Sequence, residues 1–205
     1  YVLAGVNGAG KSSIAGAAFR AAGANYYNPD EAAHALMAAN PTLTQADANS
    51  TAWHDGVKLL KRAIAERKDL AFETTLGANT IPRLLLEAAS QGIEVYAWYV
   101  GLATPELHIE RVQTRVRRGG HDIASEHIRR RSAHSRLNLV ELMPRLVALR
   151  VYDNSRDADP ARGKVPKPRL VLHTVRGKIL GPRDLENTPE WAKPIVATAL
   201  KLHRR

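Results

Sequence analysis

Residues 5–12 read Gly5-Val6-Asn7-Gly8-Ala9-Gly10-Lys11-Ser12 and follow the apolar stub Tyr1-Val2-Leu3-Ala4. This is the full G-x-x-x-x-G-K-[ST] spacing, with a strand expected before it and a helix after it. The glycines let successive backbone N–H groups turn toward one phosphate chain, the lysine reaches the β- and γ-phosphates, and the serine hydroxyl binds Mg²⁺. The expected nucleotide-binding set is therefore Gly5, Asn7, Gly8, Ala9, Gly10, Lys11, Ser12 and Ser13, with Ser12 as the protein's metal ligand.

A chain of 205 residues with 44% hydrophobic and 24% charged residues has the make-up of one soluble α/β domain with a small appendage. Cysteine is absent, which excludes disulfides and cysteine-ligated zinc and fits a reducing compartment. No apolar run approaches the roughly 18 residues of a membrane span. No signal peptide is visible, so a cytoplasmic protein that contacts no membrane is expected. The net charge of +10 favours a polyanionic partner. The basic residues gather in 111–131 and 162–183. The two Phe, six Tyr and three Trp are not interleaved with them, so a stacking surface for single-stranded nucleic acid is poorly supported.

Hydrophobic periodicity predicts a helix from Lys11 to Ala22, with Ile14, Ala17, Ala18 and Ala21 inward and Gly23 as its stop. A short strand over 25–28 ends at Pro29. Residues 31–39 read as helix, 40–52 as polar turn, and 54–67 as a helix burying Val57, Leu60 and Ile64. Leu70–Phe72 is a third strand. Thr80 is the expected cap of a helix carrying Leu84, Leu85, Ala88 and Ala89 on one face. Ile93–Val100 is the clearest strand. Helices over 105–118 and 125–142 flank Gly119-Gly120, and a fifth strand covers 146–152. Residues 153–168 read as loop, followed by a hairpin of 169–174 and 178–180 and a closing helix over 189–203. Strands alternating with helices after a phosphate loop imply a doubly wound, mainly parallel five-stranded sheet of P-loop, nucleoside-kinase-like type. The division expected is a kinase core over 1–156, including an arginine-rich helical lid at about 111–131, and an extension over 157–205.

Ligands of such sheets bind beyond the carboxyl ends of the strands, and the polar residues there are the candidates for chemistry. After the second strand comes Asn28-Pro29-Asp30-Glu31, where Asp30 is either the general base that takes a proton from an attacking hydroxyl or a helix cap. After the third comes Phe72-Glu73-Thr74-Thr75. Glu73 could hold a metal-bound water or grip an acceptor hydroxyl, Thr75 could add a contact, and both could equally be ordinary strand-end polarity. Arg111, Arg115 and Arg118 fall at i, i+4, i+7 on one helix face, and Arg129-Arg130-Arg131 opens a second basic helix. Guanidinium groups suit migrating phosphoryl oxygens, and two basic helices about a glycine hinge suit a closing lid; the alternative is a solvated charged face. Asp153-Asn154-Ser155 borders the same edge, as a phosphate neighbour or an Asx turn.

These stretches together resemble the zeta-toxin family of P-loop kinases, in its short chromosomal branch of predicted ATPases. The likeness runs over about residues 1–156 and includes the Glu-Thr-Thr, Gly-Gly-His-Asp and Tyr-Asp-Asn-Ser runs. It implies ATP- and Mg²⁺-dependent phosphorylation of a sugar hydroxyl, with UDP-N-acetylglucosamine as the family acceptor and an antitoxin protein as partner. Carried over by motif, Lys11 and Ser12 hold phosphates and metal, Asp30 is the base, and Glu73 and Thr75 contact the acceptor. The arginines that stabilise the transferred group are best matched by Arg115 or Arg118 and by one of Arg129, Arg130 and Arg131, of which Arg130 is taken. The longer toxins carry larger acceptor-binding insertions, and this chain is too short to hold them all. Two other readings stay open on the residues themselves: a nucleotide-dependent regulatory or nucleic-acid-binding ATPase, motivated by the charge, and a metabolic kinase of adenylate- or shikimate-kinase type.

Overall fold

The computed structural model describes residues 1–12, 14, 26–120, 122–156 and 168–204. The first predicted helix and the 157–167 loop therefore lie outside the described residues, except that Ile14 N donates to Gly10 O at 3.2 Å, a helical bond.

A seven-stranded sheet in the order β2-β3-β1-β4-β5-β6-β7 carries everything else. Its parallel part is β1 (Val2–Ala4), β2 (Tyr26–Tyr27), β3 (Ala71–Thr74), β4 (Tyr96–Gly101) and β5 (Ala148–Asp153). The register sets Ala4 beside Thr74 and Gly101 beside Asp153, so the strands end level and their loops share one edge. The central strand is buried on both faces, as parallel strands under helical cover must be. β6 (Arg169–Val175) and β7 (Lys178–Gly181) run antiparallel to β5 and to each other. The C-terminal hairpin thus extends the core sheet itself. Among the described residues no helix is long and apolar enough to cross a membrane.

The helices are α1 (Pro29–Ala39), α2 (Gln45–Glu66), α3 (Thr80–Ser90), α4 (Pro105–Val116), α5 (Ser125–Leu142) and α6 (Lys193–His203). Three sequence expectations are corrected. Residues 45–52 are the first turns of α2 and not a polar turn. Thr44 starts that helix by accepting from Asp47 N at 3.1 Å, and Ala48 and Ala52 bury against Ala33 of α1. A stripe of alanines gives little hydrophobic signal yet lets two helices approach closely. Asn28, not Asp30, caps α1: its side chain accepts from Asp30 N at 2.9 Å and leaves Asp30 in the first turn. Thr80 is the first residue of α3, and the preceding Asn79 makes no side-chain cap.

The main core lies between the sheet and α2, α3, α5 and α6, around Phe72, Tyr99, Leu139, Leu149 and Ile195. A separate cluster joins Val6 of the phosphate loop to Ile109 and Val112 of α4 and Ile128 of α5, with Ile123 packed on it. The two basic helices are therefore seated on the phosphate loop by apolar contact, whatever their charges do.

Candidate active site

The phosphate loop leaves β1 through Gly5, whose φ of +143° and close approach to β4 exclude a side chain: an added Cβ would sit 2.2 Å from Val100 O. Three other elements then grip the loop. Asn154, after β5, donates to Ala9 O at 2.9 Å. His108 of α4, fully buried, bonds Asn7 O through Nδ1 at 2.8 Å. Arg131 of α5 donates to Asn7 Oδ1 at 2.9 Å. Burial drags His108 down to about 4; neighbouring cations push the same way, and the Asn7 carbonyl only partly opposes them. It is neutral at pH 7, and a neutral ring facing a carbonyl donates from Nδ1.

Glu73, at the end of β3 and 6% exposed, is the hub of the cleft. Lys11 Nζ lies 3.4 Å from one of its oxygens. Ser12 Oγ donates to the other at 3.1 Å, Asn28 Nδ2 donates to it at 3.3 Å, and the Tyr26 hydroxyl bonds it as well. A buried carboxylate is tolerable when paired and bonded in this way. The two residues of the motif expected to handle phosphate and metal are thus held in place by one acid from a neighbouring strand.

A cleft of about 460 Å³ opens here. Lys11, Asp30, Glu73, Thr75 and Arg131 all line it. Arg115 of α4 comes within 3.7 Å of the Asp30 carboxylate. Burial lowers the Arg131 guanidinium below its usual range and the Asp30 charge opposes that shift; both side chains line the cleft. Thr75 Oγ1 accepts from Gly77 N at 3.2 Å, which folds the following loop. That loop carries Leu76 at a φ of +51°, and α5 holds it through Ser135 on Thr75 O at 2.6 Å and Asn138 on Leu76 O at 2.6 Å. Asp153 and Ser155 form an Asx turn, and Asp153 also accepts from Trp191 Nε1 at 3.2 Å.

Two arginines stand elsewhere than the sequence placed them. α4 ends at Val116, so the i+7 spacing does not carry to Arg118, which is exposed after the helix. Arg130 is exposed on α5 and does not line the cleft; its neighbour Arg131, a hundred degrees further round, does. Arg129 pairs with Glu106 at 3.3 Å and ties α5 to α4. Ser13 lies outside the described residues. Arg131 was findable from its helix face, since Ile128, Arg131 and Ser135 recur at i, i+3, i+7. His108 and Asn154 gave no local signal, because their partners are 101 and 145 residues away. Asn49, Ser50 and Trp53 of α2 also line the cleft; the reading of 40–52 as turn hid the first two, and Trp53 fell between that turn and the helix expected from residue 54.

The Ser12 hydroxyl beside a carboxylate fits Mg²⁺, which takes a few protein oxygens and otherwise binds water and phosphate. Among the described residues there is no group of three or more His, Asp or Glu that would hold a metal alone. Phosphate oxygens would complete the shell, with Glu73 reaching it through water.

The AAA domain family AAA_33 matches residues 1–137. An uncharacterized protein of Haemophilus influenzae is 30% identical over 128 residues, which is 62% of this chain and 87% of that protein. A solved structure of AvrRxo1-ORF1:AvrRxo1-ORF2 with sulphate ions superposes with a TM-score of 0.69 at 16% identity, over 94% of this chain, and one with ATP at 0.67 and 15%, over 97%. This chain spans 62% of the length of those chains. A structure of the PezAT chromosomal toxin-antitoxin system of Streptococcus pneumoniae superposes at 0.53 with 16% identity, over the whole of this chain and 86% of that one. At such identities the likeness is one of fold alone, and that fold is the α/β P-loop fold expected from the sequence.

Proposed function

This chain belongs to the AAA domain family AAA_33, and from that premise we propose that it is an ATP-dependent small-molecule kinase that phosphorylates an alcohol hydroxyl. The observation that carries the reading is the meeting of Lys11, Asp30, Glu73 and Arg131 on one cleft. A mere nucleotide binder has no use for a carboxylate and a guanidinium facing each other beyond its phosphate loop. ATP as the nucleotide is supported by the AvrRxo1-ORF1:-ORF2 structure that carries it.

Asp30 is positioned to accept the proton of the acceptor hydroxyl as that oxygen attacks the γ-phosphorus. Lys11 and the N–H groups of the phosphate loop hold the β- and γ-phosphates in line, and Arg131 and Arg115 neutralise charge on the transferring oxygens. With nucleotide bound, Lys11 and Ser12 would turn from Glu73 toward the phosphates, and Tyr26 and Asn28 would keep Glu73 in place. Ser12, with Glu73 through water, would hold Mg²⁺, which would supply positive charge to offset that of the phosphates. Thr75 and its loop face the acceptor. A nucleotide sugar, UDP-N-acetylglucosamine by resemblance, is the first acceptor to assay. A protein partner of antitoxin type is proposed on the likeness to PezAT.

The test is Asp30→Ala. Nucleotide affinity stays within about threefold while phosphoryl transfer falls by about 10²–10⁴, the range for loss of a general base. Transfer at the wild-type rate removes Asp30 from the chemistry.

A further inference from the structure

The C-terminal segment carries none of the motifs that pointed to a nucleotide site, yet one of its side chains is linked to the phosphate loop. Trp191 lies in a 3₁₀ turn, Glu190–Ala192, that leads into α6, and it is buried. Its ring is wedged against the end of β4: a Cβ added at Gly101 would sit 2.3 Å from it, and the Tyr99 ring lies 6.1 Å away between centroids. The indole N–H donates to Asp153 Oδ1 at the end of β5. The same oxygen accepts from Ser155 N at 3.3 Å and from the Ser155 hydroxyl, which itself accepts from Ala103 N at 2.7 Å. Arg169 of β6 stands 3.9 Å from the other carboxylate oxygen. The turn 153–155 is thereby pinned between two strand ends, with Asn154 N donating to Gly101 O at 3.0 Å.

Asn154, 3% exposed, passes that position on. Its amide donates to Ala9 O at 2.9 Å and lies so close to Gly10 that an added Cβ there would come within 2.7 Å of Nδ2. Ala9 C=O and Gly10 N–H belong to one planar trans peptide and point opposite ways. Whatever holds the carbonyl therefore aims the N–H. We propose that Trp191 is a positioning residue of the nucleotide site: by holding Asp153 it sets Asn154, and through Ala9 O it aims the Gly10 N–H at the phosphates. This rests on the reading of the loop as an ATP site and not on the transfer step. A donor that wanders by a fraction of an ångström loses affinity, so support beneath the loop counts toward binding although it touches no ligand.

The experiment is isothermal titration of the whole chain with Mg·ATP and Mg·ADP, beside thermal unfolding of each variant. Trp191→Phe keeps an aromatic ring against Gly101 and Tyr99 and removes the donor. Kd for both nucleotides should rise about threefold to tenfold, the range for one buried hydrogen bond. Ile195→Val, one turn further on in the same core, should lower Tm and leave Kd unmoved. Asn154→Ala should raise Kd at least as much as Trp191→Phe, and combining the two should add less than about twofold, because they act in series. Ser155→Ala loosens the same carboxylate from a half-buried turn and should move Kd in the same direction; it carries the test if Trp191→Phe does not fold. An unchanged Kd in Trp191→Phe, or in Ser155→Ala where it stands in, overturns the inference and leaves the ATP site standing, as do effects at 191 and 154 that multiply. A wild-type chain that binds neither nucleotide sinks the ATP reading, and the inference with it.

Discussion

The phosphate side of the cleft and the α2 side are built in opposite ways. On the phosphate side each polar group has named partners. Glu73 carries bonds from Ser12, Tyr26 and Asn28 besides its pair with Lys11, and three consecutive loop residues, Asn7 to Ala9, are gripped or crowded by α4, α5 and the turn after β5. On the α2 side, Trp53 is partly exposed, and Asn49 spends its oxygen on Gln45 one turn back. The first arrangement is preorganised: its donors need little reorientation when charge develops in the transition state. The second is a wall whose contacts a ligand must complete. The proposed phosphoryl transfer would draw on the rigid side, and its acceptor choice on the side where side chains can be exchanged without disturbing the loop.

The severest way to break this contrast is at its rigid end. Lys11→Ala should abolish tight nucleotide binding and lower transfer by about 10³-fold, because one charge serves both the ground state and the transition state. Isothermal titration with ATP beside a transfer assay checks it. Near-normal ATP affinity would mean that the backbone alone holds the phosphates and that the lysine belongs to the acceptor.

The arginines come next. Arg131→Ala should cost about 10²-fold in kcat with a smaller change in the KM for ATP, the pattern of a group that acts on transition-state charge. Arg118→Ala and Arg130→Ala should stay within about twofold, since both side chains are exposed outside the cleft. Equal losses in all three would return the basic helices to the role of a diffuse positive field, an effect that salt screens.

The same division decides what could be read from the chain alone. The phosphate loop is local: its glycines, lysine and serine lie within eight residues, and their roles follow from backbone geometry. The strands' common edge was also legible, because alternation of strand and helix dictates it, and with it the candidacy of Asp30 and Glu73. Selecting Arg131 over Arg130 required the rotational phase of α5, which three adjacent arginines conceal. The α2 wall stayed hidden because Ala48 and Ala52 bury a helix face with almost no hydrophobic signal. His108 and Asn154 act across the whole sheet, and no spacing rule connects residues so far apart.

His108 offers a test of how much the rigid side depends on support from beneath. Its pKa in the folded chain, about 4, lies below the 6.5 of an unfolded histidine. The unfolded chain therefore binds the proton first. The neutral ring's contribution is complete above about pH 6.5 and is lost as pH falls from there toward 4, a loss of about 3 kcal/mol by linkage. Denaturant unfolding at pH 7.5 and 4.5 should show it. His108→Asn, which keeps a donor for Asn7 O but cannot titrate, should lose less stability over that interval by about the same amount. An unchanged pH dependence in that variant would assign the acid sensitivity to other groups.

The mildest change addresses the boundary between the two sides. The loop 75–78 follows Glu73 and leads toward the acceptor, and Asn138 holds it by donating to Leu76 O at 2.6 Å and Ala78 O at 3.2 Å. Asn138→Ala removes both bonds from a buried site and should cost about 1–2 kcal/mol of stability. It should also free Thr75 to wander, raising the acceptor KM about threefold to fivefold, while ATP affinity stays as it was because no bond to Lys11, Ser12 or Glu73 is touched. Paired measurements of acceptor KM and ATP dissociation constant on this variant decide the matter. If both move together, Glu73 transmits the loop's position to the phosphate loop, and the cleft is one mechanical unit with no separable acceptor side.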